Sequence, residues 1–425
     1  MNIWQKRMIS GLLALCLIAA FLPAMAVKAE AKETVKFSEM LARAEAMVNY
    51  EWTPKRNIKV WHDNQYNGKD YFLAGQTVKG MPFTLFTDEF GGAYGLVTFE
   101  EYKQLEAGSG NYTASGYCGS TENKWRSGPR FGSCCASFVR EVFGGSFMKA
   151  GKKKYICVPE YEYSPYTKVY KNVKPRDLKP GDALYNDSYS HIVWVAGVSG
   201  SKLVIYEQTY PVARRLEIDL NNPNNIKNGY LYHMDKVYKN VARNTELVMD
   251  TVTGANPADY YYLPVQWAAE NGILNAASGT FSPNKVTTRA EVVEALWKLA
   301  GKPNPRSTKN PFTDVKAGAD YYSAVLWAVE NGITTGTSAT KFNPGGECTR
   351  GQVVTFLWRT AGKPEPTSSK NPFTDVTQTD YFYKAVLWAV ENGITTGTTA
   401  TKFDPSAKCT NAQTVTFLYR SIRIV

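Results

Sequence analysis

In the C-terminal part of the chain, apolar residues recur at helical spacing, and the pattern comes three times. In Ala324-Val-Leu-Trp-Ala-Val-Glu-Asn-Gly-Ile333, the residues Val325, Trp327, Ala328 and Val329 give a helix an apolar side. Asn331-Gly332 then supplies the residue types most tolerant of the left-handed conformation that ends helices. A Thr/Ser/Gly loop follows, closed by Phe342 and Pro344, and a second helix is predicted from near Thr349, carrying Val353, Val354, Phe356, Leu357 and Trp358. The first string returns unchanged over 324–333 and 385–394 apart from its position, as do Pro311-Phe-Thr-Asp-Val315 and Pro372-Phe-Thr-Asp-Val376. A more divergent copy has Trp267-Ala-Ala-Glu-Asn-Gly-Ile273, Phe281-Ser-Pro283 and Thr288-Arg-Ala-Glu291. Trp267, Trp327 and Trp388 stand 60 and 61 residues apart, a period that signals stacked supersecondary units sharing a core. An all-helical array with repeats over 246–300, 308–361 and 369–425 is expected, punctuated by Gly301-Lys-Pro-Asn-Pro305 and Gly362-Lys-Pro-Glu-Pro366.

The N-terminal half follows other periods. Cys135, Phe138, Val139 and Val142 fall at i, i+3, i+4 and i+7, so a short helix is predicted, ended by Gly144-Gly145. Leu178-Lys-Pro-Gly-Asp182 is a turn, and His191-Ile-Val-Trp-Val-Ala-Gly-Val198 is a strand. Ser199-Gly200 turns the chain into a second strand, Lys202-Leu-Val-Ile-Tyr-Glu-Gln-Thr209. At the start of the chain, Lys6 and Arg7 precede an apolar run from Gly11 to Leu22, and Ala24-Met25-Ala26 offers small residues. This reads as an export signal peptide over 1–26, and the run is shorter than the roughly 20 apolar residues of a membrane span. A surface or secreted protein with no membrane contact after signal removal is expected.

Composition changes this picture little and charge changes it more. With 44% hydrophobic and 20% charged residues, the 425-residue chain has material for real cores and for two or three domains. Residues 27–244 carry 30 basic and 23 acidic side chains, net +7, while 245–425 carry 17 and 15, net +2. The positive excess thus sits in the N-terminal half, where it attracts anionic polymers. An anionic cell wall fits an exported protein, and no nucleic-acid motif is present. Outside the signal segment stand Cys118, Cys134, Cys135, Cys157, Cys348 and Cys409. They are too sparse for a disulfide scaffold. Cys348 and Cys409 hold equivalent places in two repeats and read as small core residues. The pairing of Cys118 with Cys134 or Cys157 stays open.

The candidate chemistry lies in the N-terminal half. A helix N-terminus favours the thiolate form of Cys135, the form that acts as a nucleophile. His191 on one strand supplies a base, and Glu207 or Gln208 on the next supplies a group to orient it. The last two differ in face, because strand side chains alternate. Of the three histidines, His62 and His233 read as structural or surface positions.

Cys134-Cys-Ala-Ser-Phe-Val139, the Leu-Lys-Pro-Gly-Asp turn at 178–182, His191 and Glu207-Gln-Thr209 resemble the papain-like cell-wall hydrolases of the NlpC-like and CHAP families. The resemblance implies an α+β papain-like domain with a small antiparallel sheet, assigned to 36–235 with an N-terminal extension. It also implies catalysis by Cys135, His191 and Glu207 on peptidoglycan amide bonds, with no metal or organic cofactor. Cys134 stands where that family often has Asp, and Thr209 where CHAP members have Asn. In the extension, Tyr50, Trp52, Trp61 and Lys79-Gly-Met-Pro-Phe83 are candidates for shaping a groove.

The three C-terminal strings resemble the S-layer-homology (SLH) family. That resemblance implies a three-repeat module binding secondary cell-wall polysaccharide at the cell wall or S-layer surface. An arginine of the family's Thr-Arg-Ala-Glu motif would meet the polymer's anion, a task suited to a rigid fork of donors. The matching positions are Arg289 and Arg350, with Asn411 in the third repeat. The alternative expectation for the whole chain is a non-catalytic S-layer-associated protein or adhesin.

Overall fold

A computed structural model of the chain describes residues 34–55, 57–59, 70–82, 99–100, 103–104, 135–144, 167–188, 190–209, 211–250, 252–274 and 280–422. The segment 1–26 read as a signal peptide, His62, Trp61, Cys118, Cys134 and Cys157 lie outside the described residues. Two compact units emerge, one comprising Lys28–Asp250 and Asn256–Asp259, the other including Thr251–Ala255 and Tyr260–Val425.

The N-terminal unit is β-rich. Its eight-stranded antiparallel sheet comprises β1 (Thr167–Tyr170), β2 (Asp182–Asn186), β3 (Ile192–Ser199), β4 (Lys202–Gln208), β5 (Ala213–Asp219), β6 (Ile226–Lys227), β7 (Tyr230–His233) and β8 (Lys236–Asn244). The order across it is β5-β4-β3-β2-β8-β7-β6, with β1 pairing the far part of β8. The predicted strands fall at β3 and β4, joined by Gly200 at φ +60°. The Leu-Lys-Pro-Gly-Asp turn has a local reason. Gly181 takes φ +88°, and a Cβ there would meet Leu247 Cδ2 at 2.4 Å. The buried carboxylate of Asp182 accepts from Lys179 N at 2.8 Å and from Nε and Nη2 of Arg243 at 2.6 and 2.8 Å. The sheet is larger than the expected small one, and the unit runs past the expected boundary at 235. The stretch between 236 and 250 is absorbed into β8 and into Leu247–Val248, which pairs in parallel with Val35–Lys36.

One face of the sheet encloses Leu184, Val193, Val195, Leu203, Ile205, Leu231, Tyr238 and Val241. The sheet rolls far enough for the end of β7 to reach the end of β4, where Thr209 Oγ1 lies 3.8 Å from Met234 Sδ. The helices of the unit include α1 (Phe37–Asn49) and α2 (Cys135–Phe143). α1 buries Phe37, Met40, Leu41, Ala44 and Met47, and Phe37 stacks on Trp194 of β3 at 5.5 Å. In α2, Cys135, Phe138, Val139 and Val142 are all buried, on the single face that their spacing predicts. Each fully buried side chain of this kind contributes roughly 1.5–3 kcal/mol. Gly144 closes α2 at φ +66°, and Arg43 Nε of α1 donates to Val142 O at 3.0 Å, satisfying a terminal carbonyl.

The C-terminal unit is helical, with α3 (Tyr262–Glu270), α4 (Arg289–Leu299), α5 (Tyr322–Glu330), α6 (Arg350–Thr360), α7 (Tyr383–Glu391) and α8 (Asn411–Ser421). Each repeat supplies one helix of nine residues and one of eleven. Gly332, at φ +62°, takes the left-handed position after α5, and Asn331 caps from its side chain to Trp327 O at 2.7 Å. The expected linkers are folded helix ends. Lys302 and Lys363 take φ +56° and +57°, and Trp297 and Trp358 donate Nε1 to Pro303 O and Pro364 O at 2.9 and 2.8 Å.

Helices pair across repeats, α4 with α5, α6 with α7, and α8 back with α3. At the centre, Thr287 N donates to Cys409 O, Cys409 N to Cys348 O, and Cys348 N to Thr287 O, at 3.0, 2.9 and 2.9 Å. This closed backbone ring gives the three repeats a pseudo-threefold axis. Cys348 and Cys409 are free, fully buried thiols, as their equivalent positions imply, and burial pushes their pKa values up to about 12 and about 11.

Candidate functional site

Asn186 and Ser190 shape the turn between β2 and β3. Asn186 Oδ1 accepts from Ser190 N at 2.9 Å and its Nδ2 donates to Ser190 Oγ at 2.8 Å. This turn delivers the buried His191 imidazole, whose Nε2 lies 2.9 Å from Oε2 of the fully buried Glu207 on β4. Glu207 also receives Arg214, through Nε at 2.7 Å and Nη2 at 2.6 Å on Oε1. His233 reaches the same carboxylate, its Nε2 standing 3.2 and 3.1 Å from Oε1 and Oε2. Burial opposes ionisation of Glu207, but the hydrogen bonds from His191 and His233 outweigh it and hold the carboxyl well below the usual carboxylate range. With Nε2 of His191 engaged by Glu207, Nδ1 is the ring nitrogen left for proton exchange with another group.

Cys135 opens α2, which packs on β3 and β4. The Tyr238 phenol, buried on β8, packs beside the histidine cluster. Its ring centroid lies 6.3 Å from that of His191 and 6.1 Å from that of His233. Its pKa is raised by burial first, then by Glu207 and by Cys135. The Tyr238 hydroxyl has no hydrogen-bond partner among the described residues. His191 and His233 thus flank one buried phenol, on the sheet against which the Cys135 helix packs.

Gln208, the other candidate orienter, points to the opposite face and donates Nε2 to Met81 O at 2.9 Å. The extension residues near it are structural. Trp52 is buried and donates to Gly80 O at 3.0 Å, and Met81 O accepts from Ala213 N at 2.8 Å. Gly80 and Met81 brace the outer strand β5 through Ala213.

In the helical unit the Thr-Arg-x-[Glu/Gln] string has two roles. Thr288, Thr349 and Thr410 are N-caps in complete capping boxes with Glu291, Gln352 and Gln413. The first helical residue is then Arg289, Arg350 or Asn411, each buried. Arg289 donates Nε to Phe342 O at 2.9 Å and lies over the rings of Phe342 and Phe356 at 5.0 and 5.3 Å. Arg350 repeats this with Phe403 O at 2.8 Å, and with Phe403 and Phe417 at 4.8 and 5.3 Å. Burial draws both guanidinium pKa values down from the ordinary arginine value. Each arginine also feels an exposed tyrosine from another repeat, Tyr381 for Arg289 and Tyr260 for Arg350. Asn411 is instead satisfied internally, accepting from Thr287 Oγ1 at 2.9 Å.

Three functional positions escape sequence reasoning. His233 joins Glu207 only because the sheet rolls up, and no local period announces that. Asp314 and Asp375 accept from the backbone of Phe342 and Asn343, and of Phe403 and Asp404, at 2.8 to 2.9 Å. They fix the turns that present each carbonyl to its arginine. Their place in the repeated Pro-Phe-Thr-Asp-Val string was the available signal. Among the described residues, no group of His, Cys, Asp or Glu is arranged to hold a metal ion, and no helix is long and apolar enough to cross a membrane.

The family model of the S-layer homology domain matches residues 255–293, 311–354 and 372–415. The chain is 33% identical over 166 residues to the surface-layer 125 kDa protein of Lysinibacillus sphaericus, covering 38% of this chain and 14% of that protein. It is 34% identical over 116 residues to a cell surface protein of Thermoanaerobacter kivui, covering 26% and 15%. It is also 34% identical over 116 residues to an endoglucanase of Bacillus sp. (strain KSM-635), covering 27% and 12%. The chain thus spans about one-seventh of the length of these relatives. The helical repeats are three S-layer homology domains, and with the surface-protein relatives they assign the chain to the cell surface, in association with the S-layer.

Proposed function

We propose that this protein is tethered by its SLH module to a secondary cell-wall polysaccharide and that its N-terminal unit is a papain-like cysteine hydrolase of peptidoglycan amide bonds. For the tether, the supporting observation is the buried arginine pair. Both guanidiniums are desolvated, and Nη2 of Arg350 has no partner among the described residues, so an anionic group on the polymer relieves the penalty of burying charge there.

For the hydrolase, the supporting observation is the buried His191–Glu207 contact at 2.9 Å beside the helix that Cys135 opens. In this reading Nδ1 of His191 takes the thiol proton, and the Cys135 sulfur attacks the amide carbonyl to form a tetrahedral oxyanion. The backbone N–H of Cys135 stabilises that oxyanion, a type of contribution worth about 3 kcal/mol. The imidazolium then protonates the leaving amine as the C–N bond breaks. Water hydrolyses the thioester with His191 again as base. Glu207 stays ionised throughout and holds the ring. The scissile bond is a stem-peptide or sugar–peptide amide.

The relatives named as surface-layer and cell surface proteins favour a second reading more directly than they favour hydrolysis, namely a non-catalytic S-layer-associated protein or adhesin. Incubating the protein and Cys135→Ala with purified peptidoglycan, followed by mass analysis, separates the two. Fragments from the parent alone establish the hydrolase. No fragments from either, with wall retention intact, leave the surface-protein reading.

A further inference from the structure

We propose that His233 is a positioning residue that shares the Glu207 carboxylate with His191 and thereby sets how firmly Glu207 holds the base. This rests on the hydrolase reading for its catalytic meaning, while the shared carboxylate itself is testable without turnover. The Nε2 of His233 bridges both carboxylate oxygens at 3.2 and 3.1 Å, and its contact with Oε2 competes with that of His191 at 2.9 Å. Arg214 occupies Oε1. A second donor on Oε2 withdraws electron density from the acceptor of His191 and loosens that hydrogen bond, so the ring is gripped less firmly than by an unshared carboxylate.

The turn that presents His233 is itself strained. Met234 and Asp235, between β7 and β8, both take left-handed conformations, φ +49° and +57°, where Asn-Gly is the usual pair. Left-handed conformation at a residue such as methionine costs roughly 1–2 kcal/mol. Strain of this kind persists where the surroundings over-determine it, typically beside functional groups. It also brings Met234 against Thr209, at the end of the strand bearing Glu207. The charged and titratable groups facing the pair are Glu207 and Arg214 from β4 and β5, His191 ahead of β3, Tyr238 and Lys236 from β8, and Cys135 from α2.

The test is NMR of the full chain with nitrogen-15 in the histidine rings, at one fixed neutral pH. It is tractable because only three histidines exist. Parent, His233→Ala and His233→Gln are compared through the His191 Nε2–H resonance. Removing His233 leaves Oε2 to His191 alone, so that hydrogen bond tightens and its proton moves downfield. Gln, a neutral donor of similar reach, restores part of the parent shift. Identical His191 Nε2–H signals in all three proteins, with β3 and β4 amide shifts unchanged, overturn the proposal. If the hydrolase reading holds, turnover on peptidoglycan changes in His233→Ala and is partly restored in His233→Gln. A changed His191 signal with no turnover in any variant, including the parent, sinks that reading and leaves the shared carboxylate standing.

Discussion

Arg350 donates Nε to the carbonyl oxygen of Phe403 at 2.8 Å, while its Nη2, equally buried, has no partner among the described residues. Nε holds the side chain in place, and Nη2, on the same edge of the guanidinium, is the donor that the proposed tether would use. This division of labour predicts a graded response. Arg350→Lys and Arg289→Lys keep the charge but lose the fork, and each weakens retention on wall polysaccharide about tenfold, the effect of one charge-assisted hydrogen bond of about 1.5 kcal/mol. Asn411→Ala leaves retention within twofold. Pull-down against a concentration series checks this, and equal losses at all three positions would refute it.

Glu207 and Gln208 separate the orienting role from a structural one. On the proposed hydrolase reading, Glu207→Gln is expected to lower turnover on peptidoglycan by about 10²- to 10⁴-fold, the span typical of acid–base machinery. Gln208→Ala loses the bond to Met81 O and the packing of a fully buried side chain, and is expected to cost about 1–3 kcal/mol of stability with turnover near the parent value. Kinetics and denaturant melts on the two variants decide it.

The same carboxylate gives a pH signature. Because the folded pKa of Glu207 is depressed, its ionisation contributes stability at pH values above the unfolded carboxylate value of about 4.3. That contribution fades as the pH falls below this value toward the folded one. Hydrogen exchange of the strands Ile192–Ser199 and Lys202–Gln208 reads it locally. The protection lost in Glu207→Gln, about 3 kcal/mol at pH 7 for a buried charge network missing one partner, should shrink steadily below about pH 4.

Gly254 is a purely structural test of the first SLH repeat. It sits at φ +88°, and an added Cβ would lie 2.0 Å from Phe281 O. Gly254→Ala therefore combines an unfavourable conformation with a backbone clash and should cost more than 1 kcal/mol. A thermal melt followed through the helical signal near 222 nm checks this, and an unchanged midpoint would contradict it.

Local periodicity made much of this protein legible. The apolar face of Cys135, Phe138, Val139 and Val142, the strands around Trp194 and Ile205, and the helix pairs of each repeat all follow from spacing within a few residues. What stayed hidden is long-range. His233 meets Glu207 across a sheet whose curvature no single strand encodes, and the stretch after residue 235 joins the sheet because β2 offers it an open edge. The family resemblance singled out Arg289 and Arg350 but not their stacking between phenylalanines of the next repeat. Those contacts depend on how the repeats meet.

The closed backbone ring of Thr287, Cys348 and Cys409, with α8 returned onto α3, has a mechanical consequence. In an open solenoid the terminal repeat is held on one side only and frays first under tension. Here the helix nearest the entry of the chain, Tyr262–Glu270, is clamped by the last helix, Asn411–Ser421, so no repeat is terminal. If the proposed tether holds, a pull against the bound polymer meets all three repeats at once, and the module is expected to give way in a single rupture rather than repeat by repeat.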